Sequence, residues 1–168
     1  MEPVRRVHPV ARGPLPPGAA QVNRTQLLDP EVFRAMAAVS AAAKKGLGDP
    51  GLAELVMIRA SQINHCAFCL DMHLDLARKH GESEDRIHFL GAWEETEDLY
   101  SERERAALAL TEAVTVLTEG FVPDEVYEAA AKHFDEAALA HLIALITVIN
   151  GWNRLMVSRR VPPGGRQP

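Results

Sequence analysis

The only two cysteines of the chain stand in a C-x-x-C pair, Cys66 and Cys69, with His73 four residues further on and Glu54 twelve residues before the first. Residues three and four apart share a helix face. If the chain is helical from Cys66 onward, the two sulfurs meet and His73 lies one turn beyond Cys69 on the same side. Asn64 is a candidate N-cap for that helix, since its side chain can accept from an early backbone N–H. Sulfurs in a first helical turn face unpaired N–H groups and the positive end of the helix dipole, which favour the thiolate. The thiolate is the reactive form of cysteine, so the placement suits redox chemistry.

That chemistry has a defined course. A thiolate attacks peroxide and becomes a sulfenic acid, which a neighbouring thiol condenses into a disulfide. A reductant then restores the dithiol by exchange. His73 can take the proton of Cys69, and Glu54 could orient His73 or drain its proton. Two other readings use the same residues. Cys66, Cys69, His73 and Glu54 could ligate zinc, but structural zinc sites commonly draw on a second Cys/His pair and none exists here. The pair could also act as a redox sensor in a non-enzymatic oligomer. A purely stabilising disulfide is a poor reading, because so small a loop restricts the unfolded chain by only roughly 2 kcal/mol.

The spacing of Glu54, Cys66-Ala67-Phe68-Cys69 and His73 resembles the signature of the alkylhydroperoxidase D-like (AhpD-like) family, within the carboxymuconolactone decarboxylase superfamily. The run Arg59 to Asn64 and the run Leu70 to His73 look like family sequence, and Ile149 to Leu155 resembles a closing stretch of peroxidase-related members. The likeness spans roughly Phe33 to Val161. It implies an all-α, single-domain, multi-helix bundle of the AhpD-like type that assembles as a homo-oligomer, a trimer or hexamer. It implies that Cys69 is the peroxide-reactive thiol, Cys66 the resolving one, and Glu54 with His73 the proton relay. The implied partners are a peroxide substrate and a thiol or dithiol reductant, with no cofactor and no metal. Phe68 departs from members that place histidine or tyrosine between the cysteines, which leaves the substrate preference open. Decarboxylation is not expected, because enzymes of that activity lack the cysteine signature.

Composition narrows the class further. A chain of 168 residues fits one domain with a real core. Aromatics are only 5%, so aliphatic side chains must build that core. A net charge of -5 argues against nucleic acid or an anionic membrane as partner. Two cysteines at this spacing fit a reducing compartment, so a cytoplasmic protein is expected. The start of the chain has arginines and prolines but no apolar core of a signal peptide. The longest apolar run, Ala137 to Ile149, is interrupted by His141 and Thr147 and is short of the ~20 residues a bilayer needs.

The positioning elements all read as helices. Residues 1–23, rich in proline and glycine, read as an extended arm, residues 24–161 as the helical domain and residues 162–168 as a tail. Asp29-Pro30 and Asp49-Pro50 open the first two helices, each with an N-cap and a proline at the first helical position. Phe33, Met36 and Val39 carry the apolar side of the first, which Gly46 and Gly48 end. Glu54 falls inside the apolar pattern of the second. The Cys66–His80 helix is stopped by Gly81, and His80 is placed beside the cleft of His73. Ser83 caps a short helix, and Glu94 to Asp98 reads as an exposed acidic turn. Ser101 and Glu104 form a capping box for a helix ending near Gly120. Pro123-Asp124 begins another. Asp135 caps the last helix, apolar nearly all round and expected to be the central one. His65 stands at the helix start with uncertain direction, and His8, His88, His133 and His141 read as ordinary residues. No run alternates with period two, so no strand is expected.

Overall fold

The computed structural model describes residues 28–96, 98–118 and 120–165, and the N-terminal arm, with His8, lies outside them. Seven α-helices and no strand are found among these residues: α1 Pro30–Leu47, α2 Pro50–Ile63, α3 Ala67–Lys79, α4 Glu84–Phe89, α5 Glu102–Thr115, α6 Asp124–Ala131 and α7 Glu136–Arg159. Short 3₁₀ turns at Leu90–Glu95 and Pro163–Gly165 complete the path.

The helix starts follow the side chains that cap them. Asp29 accepts from the N–H groups of Glu31 and Val32, and Asp49 from that of Leu52. Ser83 accepts from Arg86, and Asp135 from Ala138. Ser101 and Glu104 form the reciprocal capping box. Each supplies an acceptor to a backbone donor that the helix cannot satisfy itself. The ends depart more from expectation. Gly46 lies inside α1, and Gly48, at φ 69°, is the residue that turns the chain. Gly46 instead allows a close approach: a methyl there would stand 2.2 Å from the ring of His141 on α7. α5 ends at Thr115, five residues before Gly120, and Leu90–Glu95 coils far enough to bury Trp93.

The most enclosed helix is α2, not α7. Every residue from Leu52 to Ile58 is buried, whereas α7 still exposes Ala140, Thr147, Arg154 and Val157. Both helices are surrounded, α2 by α1, α3, α5 and α7 and α7 by α1, α2, α3, α5 and α6, but the neighbours of α2 cover a helix of 14 residues and those of α7 one of 24. Its Leu52, Val56, Met57 and Ala60 enter the main core with Leu142, Leu145, Ile146 and Ile149 of α7, while Leu55 and Ile58 enter a second cluster with Leu90, Trp93 and Leu108. α7 reaches 24 residues because the helix continues through Gly151 to Arg159. By length and composition alone α7 is long and apolar enough to cross a bilayer, and 44% of that apolar window is buried in the bundle. α1 packs along α7 but buries only Ala43 and Leu47, and the expected core positions Phe33 and Val39 are half-exposed.

Candidate active site

The site forms where α2 gives way to α3. Asn64 closes α2 in a helical conformation, and His65 then takes φ 54°, the left-handed region that a non-glycine residue adopts at a cost. Cys66 follows in an extended conformation and is itself the N-cap of α3: its Sγ accepts from the Cys69 N–H at 3.3 Å. The expectation that Asn64 caps this helix is therefore corrected. Its amide is committed to the other side, donating to Ala60 O at 3.0 Å, Asn150 Oδ1 at 2.8 Å and Asn153 Oδ1 at 2.9 Å. Asn153 in turn donates to Ser61 Oγ at 3.0 Å, and Asn150 to Thr115 Oγ1 at 3.0 Å. This buried network ties the end of α2 to α7 and α5, and so fixes the point from which the cysteine pair departs. The neighbours of these two asparagines serve the opposite face: Trp152 donates to Ser40 Oγ of α1 at 2.9 Å, and Gly151 lets Met36 come close.

Cys66 and Cys69 are joined in a disulfide with their Cα atoms 5.3 Å apart. Both are 1% exposed, so the sulfurs lie within the core rather than at its border with a cleft. His73, on the next turn of α3, is buried, and its Nδ1 lies 2.7 Å from Oε2 of the buried Glu54. The other carboxylate oxygen, Oε1, receives Lys44 Nζ from α1. Burial by itself pushes the Glu54 carboxyl up, but the hydrogen bonds and charges of His73 and Lys44 outweigh it and hold the group below the ordinary carboxylate value of 4.5. An ionised carboxylate only accepts, so Nδ1 of His73 is the donor in this pair.

The structure thus brings together the four residues singled out from sequence. It does not bring His80 to them; that residue is exposed at the C-cap of α3. His65 is exposed, and Phe68 is half-buried against the main core. An open depression of about 340 Å³ beside α3 is lined by Gln62, Leu70, Leu74, Arg78, Glu84, Ile87 and His88, and none of the four site residues lines it. Among the described residues no group of three or more His, Cys, Asp or Glu is arranged to hold a metal ion. Lys44 is the site residue that sequence reasoning missed. A signal was present: only Gly48 and Asp49 connect α1 to α2, so the last turn of α1 must lie beside the first turns of α2.

The chain belongs to the carboxymuconolactone decarboxylase family, whose pattern matches residues 30–113, and within it to the AhpD-like proteins. It is 49% identical to the uncharacterized protein YdfG of Bacillus subtilis over 105 residues, 62% of this chain and 71% of YdfG. It is 35% identical to the uncharacterized protein YnjA of Escherichia coli over 118 residues, 70% of this chain and 63% of YnjA. Its fold is similar to that of a crystal structure from Agrobacterium tumefaciens, described as a protein of unknown function and a candidate antioxidant defence protein AhpD. The TM-score is 0.77 at 36% identity, covering 80% of this chain and 92% of that one.

Proposed function

We propose that the protein is a thiol-dependent peroxidase that reduces peroxides through Cys69 and Cys66. The observation that carries the reading is one arrangement: a C-x-x-C disulfide at the start of α3, with His73 on the next turn held through Nδ1 by a buried, ionised Glu54. The antioxidant description of the Agrobacterium structure supports the same reading.

In the reduced protein, the proton of the Cys69 thiol passes to Nε2 of His73, and the resulting imidazolium is stabilised by the Glu54 carboxylate. The thiolate attacks one peroxide oxygen. The S–O bond forms as the O–O bond breaks, and the departing oxygen takes the imidazolium proton to leave as alcohol or water. Cys66 then attacks the sulfenic acid, releasing water and forming the disulfide. A dithiol reductant, or two monothiols, returns the pair to the reduced state and is itself oxidised to a disulfide. That last step requires a reducing compartment, so a cytoplasmic location belongs to the proposal.

The test is peroxide consumption by purified protein with hydrogen peroxide and an organic hydroperoxide, each offered with several thiol and dithiol reductants. Catalytic turnover, many peroxides per protein, is expected with at least one combination. One stoichiometric oxidation and no more, with every reductant, would contradict an enzyme and favour a redox sensor.

A further inference from the structure

We propose that Lys44 is a positioning residue of this site: its ammonium, reaching from α1 onto Oε1 of Glu54, keeps the buried carboxylate charged and thereby keeps His73 able to act as a base. The consequence for turnover rests on the peroxidase reading above; the electrostatic arrangement does not.

The argument starts from what burial does to a carboxylate. Glu54 is 1% exposed, in a helix whose neighbours from Leu52 to Ile58 are all buried. Without compensation such a group takes up a proton, because the charged form loses its water. His73 compensates through its hydrogen bond and, when its ring is protonated, through charge. Lys44 adds a second hydrogen bond and a second positive charge from a different helix. It divides the carboxylate with His73, one oxygen each. Its side chain is 31% exposed, so the ammonium keeps part of its own hydration while serving a fully buried partner. Lys44 neither gives nor takes a proton in this scheme: the thiol proton goes to Nε2 of His73, and Nδ1–H stays on Glu54.

The other groups on the packed elements are engaged elsewhere. Asp49, at the start of α2, pairs with Arg103 of α5 at 2.6 Å, and Arg59 of α2 pairs with Glu112 of α5 at 2.7 Å. α7 presents His141 to Gly46 and the neutral amides of Asn150 and Asn153 to the end of α2. From α3 comes His73 itself, beside a disulfide that does not titrate. The charges acting on the Glu54 carboxyl are those of His73 and Lys44.

The test follows the Glu54 carboxyl directly, by carbon NMR of glutamate-labelled protein across pH, with Glu54→Gln to assign the resonance. Wild type, Lys44→Met, Lys44→Gln and Lys44→Arg are compared in disulfide and reduced forms, with a thermal melt of each to establish folding. Loss of an opposite charge this close shifts a carboxyl by about one pH unit or more. The titration midpoint is therefore expected to rise by that amount in both neutral variants and to return in Lys44→Arg. The acidic limb of the peroxide turnover profile is expected to move up with it. An unchanged midpoint in the neutral variants, or an equal rise in Lys44→Arg, would overturn the proposal. The expected shifts without peroxide turnover in any protein, wild type included, would uphold the Lys44 assignment and sink the peroxidase reading instead.

Discussion

At Glu54, an ammonium and an imidazole divide the two oxygens of a carboxylate that water scarcely reaches. A glutamate inside an apolar pattern is ordinarily a solvated residue, so its burial was legible only through the family signature. The spacing of Cys66, Cys69 and His73 was legible from helix geometry alone. Lys44 was legible only in part: the two-residue Gly48-Asp49 connection brings the end of α1 to the start of α2 but does not say which side chain reaches Glu54. A tenfold or greater loss of peroxide turnover is expected in Glu54→Gln, while circular dichroism still reports a folded helical protein; Glu54 supports the base, so its loss need not cost the full ~100-fold or more that a positioned base contributes. Unchanged turnover would return Glu54 to a structural role. The same variant carries a pH signature. The folded-state pKa of Glu54 lies below its unfolded value, so its stabilisation is complete above about pH 4.5 and is lost as the pH falls through the folded value. Glu104 is lowered in the same sense: burial raises it, and Arg86 and Ser101 more than reverse that. Acid melts of Glu54→Gln are therefore expected to fall less steeply below about pH 4.5 than those of wild type, while keeping the slope due to Glu104.

At the scale of elements, the helix starts were readable because capping is local chemistry. Asp29, Asp49, Ser83, Ser101 and Asp135 all cap as their residue types dictate. The exception, α3, is instructive. Asn64 is by type the better cap, but three partners on α2 and α7 claim its amide, and the sulfur of Cys66 takes the capping place. Those partners are up to 89 residues away in sequence, beyond any local rule. The same distance hid the role of Asn153, which is fully buried and bonds both Ser61 and Asn64. Asn153→Ala is expected to cost about 1–3 kcal/mol, the range for buried polar groups that lose a partner, measured by urea unfolding. A change below about 0.5 kcal/mol, the size of an ordinary surface substitution, would show that the network does not hold the α2–α3 junction.

At the scale of the whole molecule, the all-α bundle followed from the absence of period-two patterning and the succession of caps. The choice of central helix followed only in part. The apolar circumference of α7 pointed to it, and α7 does pack against α1, α2, α3, α5 and α6, but the shorter α2 is the more completely buried of the two. Val32, Phe33 and Val39 of α1 are half-exposed, so their apolar character points to a surface rather than to the core. Family resemblance makes a second copy of the chain the expected cover for such a surface. Light scattering at micromolar concentration is expected to give a trimer or hexamer, and a monomer would contradict the assembly.

The central claim is that Cys69 reacts with peroxide and Cys66 resolves it. Two effects compete at this pair: His73 lies one turn beyond Cys69 on its own face, while the Cys69 N–H favours a thiolate on Cys66. The direct measurement exposes Cys66→Ser and Cys69→Ser to peroxide with a dimedone-type trap and weighs the intact proteins. Cys66→Ser is expected to carry one sulfenic acid adduct, because nothing remains to resolve it, and Cys69→Ser none. An adduct confined to Cys69→Ser would invert the assignment, and no adduct in either variant would contradict the peroxidase mechanism.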